Sequence, residues 1–310
     1  MEVWEGRVDS TRDADAMRWH QVVRRPEASS LPGIALLGFA CDEGVRRNGG
    51  RIGAALGPPA LRRALSNLPA LGRVPLYDAG DVACESGNLE VAQQHFADCL
   101  AALLDAGHFP IGLGGGHEIG FASYLGLAQH RASRAGRLAI VNLDAHFDLR
   151  ESATPNSGTP FLQAIEHAQR HGIELDYICL GVSESANTAR LFRTAEATGT
   201  QYLLDRELSV ANVDARTTQL AQWLEPAEAI YLSVCLDVLP PSIAGGVSAP
   251  SARGVDLEVI ESLIAAVIGT GRVRLLDFAE LSPPFDRDGT TARVAARLIH
   301  QTALAYSRSR

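Results

Sequence analysis

Short apolar runs rich in valine, isoleucine and leucine alternate along this chain with longer stretches of helical period. The runs near 34–39, 74–78, 109–113, 137–143, 177–181, 201–204, 229–236 and 272–278 read as strands. Helices are expected in the gaps, most clearly at 89–106, 118–132, 160–171, 186–198, 255–269 and 290–307. This alternation predicts an α/β fold of three layers, α/β/α, about an eight-stranded, mostly parallel sheet. Residues 1–30 lack a clear period and read as an N-terminal arm, at the surface or in a subunit contact, ahead of one α/β domain over 31–310.

Composition narrows the partners more than the fold. At 310 residues and 46% hydrophobic, the chain can bury a large core without a second domain. A net charge of −8 argues against non-specific nucleic-acid binding and favours small-molecule chemistry. The five cysteines, at 41, 84, 99, 179 and 235, form no CxxC pair, as expected in a reducing compartment such as the cytoplasm. Neither a leader-like apolar region in the first thirty residues nor a membrane-length run is present in the sequence.

Three clusters of polar residues fall at expected strand ends. The run Asn142-Leu143-Asp144-Ala145-His146-Phe147-Asp148 follows the apolar segment 138–141 and spaces three potential metal ligands two residues apart. If the extended conformation continues through it, alternation brings Asp144, His146 and Asp148 to one side. Carboxylate with imidazole suits Mn, Fe, Ni or Zn better than Ca or Mg. The run Tyr231–Asp237 ends likewise in Cys235 and Asp237. The third, Leu113–Glu118, carries three glycines that let backbone approach closely, bringing His117 toward neighbouring strand ends. Its spacing matches neither GxGxxG nor the Lys-ending phosphate loop.

Taken in order, GGGHE at 114–118, DAHFD at 144–148 and SVCLD at 233–237 followed by VLPPSIAGGVSAP resemble the metal motifs of the ureohydrolase family, which includes arginase, agmatinase and formimidoylglutamase. FAELSPPFD at 278–286 resembles the family segment whose glutamate, here Glu280, faces the nitrogen-rich carbon of the substrate. CDEGVRRNGGR at 41–51 and SGTPF at 157–161 are similar to the formimidoylglutamase branch. The resemblance implies an arginase-like fold and two divalent metal ions, with manganese preferred. It implies one metal on His117, Asp144, Asp148 and Cys235, and the other on Asp144, His146 and Asp237. Arg150 stands where relatives contact the amino-acid end of the substrate, and a guanidinium suits a carboxylate. The implied reaction is hydrolysis of the amidine N-formimidoyl-L-glutamate to L-glutamate and formamide in histidine degradation, by a cytoplasmic homo-oligomer.

Two departures qualify the match. The wider family has aspartate where Cys235 stands, and a thiol is a poorer partner for Mn²⁺. SGTPF lies where arginases carry a proton-shuttling histidine, which argues against arginase itself. The rivals are another ureohydrolase acting on a guanidino acid or agmatine, and a catalytically weak relative with a binding role.

Overall fold

The computed structural model describes residues 3–70, 74–131 and 136–308. Positions 1 and 2 of the expected arm and position 132 of the helix expected at 118–132 lie outside them. Eight strands form one sheet: β1 (Ile34–Ala40), β2 (Leu76–Ala83), β3 (Phe109–Leu113), β4 (Leu138–Leu143), β5 (Leu175–Val182), β6 (Gln201–Leu204), β7 (Ala229–Cys235) and β8 (Val273–Ala279). Their order is β2-β1-β3-β8-β7-β4-β5-β6, and every pairing between them is parallel. The sequence pattern locates each strand, although β2 continues to Ala83, beyond the expected end at 78. The middle of the strand carries the buried Asp78 and the exposed Ala79, Gly80 and Asp81, which hides it from a hydrophobicity reading.

Ten α-helices accompany the sheet among the described residues: α1 (Trp19–Val22), α2 (Glu43–Arg47), α3 (Gly57–Ser66), α4 (Leu89–Asp105), α5 (Ile119–His130), α6 (Pro160–Arg170), α7 (Ala189–Ala197), α8 (Val213–Leu224), α9 (Leu257–Gly269) and α10 (Thr290–Arg308). Alternate residues of the strands enter two separate cores. Ile111, Val141, Leu232 and Leu276 pack with α3, α8, α9 and α10, whereas Ile140, Tyr231 and Leu275 pack with α4, α5, α6 and α7. Helices on both faces explain why the strands read as continuous apolar runs. The α3 and α8 segments carry no strong run of large apolar residues and show their helical role only once packed.

The first thirty positions also contribute buried residues. Trp19 is fully buried and stacks on Trp4, and Trp4 Nε1 donates to Asp78 Oδ2 at 2.7 Å. Arg24 bridges the free edge of β2 in parallel with Tyr77, which occupies backbone groups that would otherwise be open to another chain. Arg62 on α3 is 2% exposed and grips Asp78 with two hydrogen bonds of 2.8 and 2.9 Å. Burial works against ionisation of Asp78, but Arg62 outweighs it and holds the carboxyl below its usual value. No helix among the described residues is long and apolar enough to cross a membrane.

Arg62→Ala leaves the Asp78 carboxylate buried without its cation and should cost about 3 kcal/mol in urea unfolding. Since the folded Asp78 value is depressed, the contribution of the pair is present above the unfolded value of about 4 and is lost as pH falls below it. The wild-type and mutant stabilities should therefore converge in acid.

Candidate metal centre

The order of the sheet places β3, β8, β7 and β4 side by side at its centre, and each delivers polar side chains just beyond its carboxyl end. Three glycines make the first delivery possible. A Cβ at Gly114 would lie 2.5 Å from the Phe278 carbonyl, one at Gly115 1.8 Å from the Cys41 carbonyl, and one at Gly116 2.2 Å from a Glu118 oxygen. Only hydrogen fits there. The loop thereby reaches across β8, and His117 comes to lie beside Asp144 and Asp148.

The extended conformation expected through DAHFD does not continue. β4 stops at Leu143, the Asp144 carboxylate accepts the His146 N–H at 2.7 Å, and Asp148 turns into the left-handed region at φ 50°. An aspartate accepting the N–H two residues on is a turn, so the ligands converge through a bend rather than strand alternation. Asn187 staples this bend, accepting the Phe147 N–H at 3.1 Å and donating to the Ala145 carbonyl at 2.8 Å. Beyond β7, Asp237 likewise sits on a short 3-10 turn, Leu236–Val238.

The side chains gather closely. His117 Nδ1 lies 2.9 Å from Asp144 Oδ2 and 2.8 Å from Asp148 Oδ2, while His146 Nδ1 lies 3.1 Å from Asp237 Oδ2. Potential ligand atoms of His117, Asp144 and Cys235 lie within 4.8 Å of one another, as do those of Asp144, His146 and Asp237. His117 Nδ1 and Asp237 Oδ1 are buried without a hydrogen-bond partner, so the ring nitrogen sits beside two carboxylates without donating to either. Nitrogen and carboxylate lone pairs aimed at common points fit divalent cations. Without one, burial and the Asp144 charge push Asp237 up to about 6, and burial with the same charge pushes the Cys235 thiol up as well.

The remote nitrogen of His117 has a built support that the motifs do not reveal. Its Nε2 meets Ser233 Oγ at 3.0 Å, Ser233 donates to Asp277 Oδ1 at 2.7 Å, and Asp277 also receives the Ser123 and Tyr231 hydroxyls at 2.6 and 2.5 Å. Because Ser233 spends its proton on Asp277, it accepts from Nε2–H, which leaves Nδ1 as the nitrogen turned toward the carboxylates and available to a cation. Ser233, Asp277 and Asn142 are register neighbours on β7, β8 and β4. Ser233 opens the SVCLD motif and Asn142 precedes DAHFD, but in the sequence each reads as a polar residue inside an apolar run, with nothing to mark its part in this support. Phe161 of SGTPF is fully buried with its ring edge-on to His117 at 5.2 Å, so that segment supplies packing where a proton shuttle was absent.

Glu280 completes the arrangement. It takes φ 74°, donates its N–H to the Gly115 carbonyl at 2.8 Å, and accepts the His117 N–H on Oε1 at 2.6 Å. Strain at a non-glycine residue of this kind persists where surrounding structure enforces it. Glu280 Oε2 is buried and unpartnered, and burial raises its carboxyl above the usual range. A cavity of about 270 Å³ is lined by Glu280, His117, His146, Asp148, Cys235, Asp237 and Arg150 together. Arg150 is exposed, and among the described residues its guanidinium makes no ion pair. The remaining cysteines stand apart from the cavity, with Cys179 buried and donating to the His146 carbonyl at 3.3 Å.

Residues 32–305 match the family model described as Arginase family. The chain is 50% identical to a formimidoylglutamase of Aeromonas hydrophila over 97% of its own length and 96% of that protein. It is also 50% identical to a formimidoylglutamase of Ralstonia nicotianae, over 96% and 93% of the two chains. Among solved structures, a formimidoylglutamase from Bacillus subtilis superposes with a TM-score of 0.85 at 21% identity, covering 98% of this chain and 96% of the other. A variant of Trypanosoma cruzi formiminoglutamase crystallised with Mn²⁺ gives 0.80 at 25% identity, over 91% and 95%.

Ser233→Ala should weaken Mn²⁺ binding roughly tenfold, since losing the outer partner of a ligating histidine typically costs about 10–100-fold. Isothermal titration of the metal-stripped protein reads this directly, and unchanged affinity would mean that His117 needs no support from the sheet.

Proposed function

This chain belongs to the arginase family, and from that membership we propose that it hydrolyses N-formimidoyl-L-glutamate to L-glutamate and formamide. One observation carries the reading: a single cavity holds the carboxylate and imidazole cluster, Glu280 and the unpaired Arg150, in a chain 50% identical to formimidoylglutamases along nearly its whole length. The same reading puts the enzyme in the cytoplasm, as a homo-oligomer in histidine breakdown.

His117, Asp144, Asp148 and Cys235 would hold one divalent cation and Asp144, His146 and Asp237 the other, with manganese favoured by the carboxylates and by the Mn²⁺ bound in a relative. When bound, such a pair makes hydroxide available from water near neutral pH. In the reaction water adds to the amidine carbon, the C–N bond to the glutamate nitrogen breaks, and that nitrogen takes a proton and leaves as the amine of L-glutamate. The oxygen of the water stays in formamide.

The chain's own residues supply orientation. Glu280 Oε1 is committed to the His117 backbone, so Oε2 is the atom left to receive a protonated amidine, in a charge-assisted hydrogen bond that fixes the carbon to be attacked. Arg150 suits a carboxylate of the substrate and would repel the primary amine of agmatine. A guanidino acid satisfies Arg150 equally well. The thiol of Cys235 is the one feature that favours a catalytically weak relative with a binding role.

The manganese-loaded protein should release L-glutamate from N-formimidoyl-L-glutamate faster than urea from any guanidino acid in a substrate panel. Metal-replete protein inert on every amidine and guanidine would sink the enzyme reading. Arg150→Ala should raise KM more than it lowers kcat, and Glu280→Ala should lower kcat by roughly a hundredfold or more, as expected for a group that positions the reacting carbon.

Cys235→Asp restores an oxygen ligand and should raise manganese occupancy toward two per chain. Metal analysis and turnover of both proteins in matched manganese test this, with circular dichroism as the folding control. An aspartate variant that gains no manganese would overturn this expectation, and one that loses activity or changes metal preference while keeping its fold would mark the thiol as a working ligand.

A further inference from the structure

Arg150 by itself accounts for one charged contact, whereas N-formimidoyl-L-glutamate carries two carboxylates and no free α-amine. The rim of the cavity offers more donors than the mechanism has used. Asn48 follows α2, and its Nδ2 donates to Ser157 Oγ at 3.1 Å, joining two loops that are 109 positions apart in the chain. One residue earlier, Arg47 Nη1 donates to the Pro155 carbonyl at 3.0 Å, so the seam between these loops is tied twice. Beneath it the buried Glu118 accepts the Gly44 N–H at 2.8 Å and anchors the start of α2.

Hydrogen-bond direction decides what this seam can bind. Ser157 uses a lone pair on the Asn48 amide, which leaves its O–H as a donor, and the second Nδ2–H of Asn48 is also unspent. Arg150 passes beside both. A Cβ at Gly158 would lie 2.6 Å from Arg150 Cδ and 3.2 Å from Asn48 Nδ2, so a glycine is what lets the guanidinium stem and the amide share one wall. Asn48, Ser157 and Arg150 all line the cavity that holds Glu280. An amide N–H, a hydroxyl and an unpaired guanidinium make a wall of donors.

We infer that Asn48 is a specificity-determining residue, which with Ser157 and Arg150 binds a carboxylate of a dicarboxylic substrate. The inference rests on the substrate reading above and deepens it. Asn48→Asp turns a donor into an anion beside the substrate anion, while Asn48→Ala merely removes it. Asn48 is exposed at the rim, so both variants should melt at the wild-type temperature.

The experiment joins steady-state kinetics on N-formimidoyl-L-glutamate with calorimetric binding of L-glutamate, using manganese-loaded full-length protein. Loss of a hydrogen bond to a charged group predicts a KM about tenfold higher in Asn48→Ala and higher again in Asn48→Asp, with kcat changing far less. L-glutamate binding should weaken in the same order. Wild-type turnover combined with unaltered KM and unaltered L-glutamate binding in both variants would overturn the role of Asn48 and leave the substrate reading standing. The substrate reading fails separately if wild-type protein does not turn over N-formimidoyl-L-glutamate. L-glutamate binding that still falls in Asn48→Asp would then support the dicarboxylate wall alone. An equal loss in both variants, accompanied by a lowered melting temperature, would mean that Asn48 only braces the loops and would overturn the inference.

Discussion

Asp144, Asp148, Asp237 and Glu280 bring four carboxyl groups to one buried place at the ends of adjacent strands, and their mutual repulsion governs the structure around them. Asp144 and Asp237 offer oxygens within 4.8 Å of each other. Like charges at that separation repel by roughly 3.5 kcal/mol at an effective dielectric constant near 20. The imidazoles of His117 and His146 lie against these oxygens, and Nε2 of His117 is already committed to the sheet. A cluster of this composition stabilises bound cations because its own charge is otherwise unmet.

The sheet is what holds the cluster against that repulsion. Parallel strands buried on both faces give β3, β8, β7 and β4 little freedom, and Ser233, held by Asp277 on the neighbouring strand, fixes the imidazole from behind. In front, Asp148 and Glu280 accept left-handed backbone conformations at φ 50° and 74°. Both touch His117, Asp148 at the ring and Glu280 at the backbone N–H. The fold spends local stability there and recovers it in the two apolar cores, where most of the buried surface lies.

Much of this was legible along the chain. Every strand shows as an apolar run because a parallel sheet covered on both faces needs one, and the expected helices at 89–106, 160–171 and 290–307 correspond to α4, α6 and α10. The residues of the candidate site stand out because imidazoles and carboxylates at the ends of apolar runs are costly unless used. Family resemblance then supplied the chemistry that spacing could not. Helix α3 opens with Gly57-Pro58-Pro59, which reads as a loop, and α8 and the far half of β2 carry exposed polar residues that dilute the periodic signal.

By itself the sequence determined the order of elements, the identity of His117, Asp144, His146, Asp148, Cys235, Asp237 and Glu280 as chemically marked positions, and the family. It could not determine how those positions meet. DAHFD looks like a strand with alternating ligands, yet the Asp144 carboxylate binds the His146 N–H and ends the strand, so a bend makes the convergence. Ser233 and Asp277 looked like interruptions in apolar runs, and only the pairing of β7 with β8 turns them into support for His117. Asn48 and Ser157 fall in two segments that the resemblance marks, but nothing in the sequence joins them. Their shared wall exists because loops from different strands close over the carboxyl end of the same sheet, and contacts between distant segments leave no periodic trace in either one.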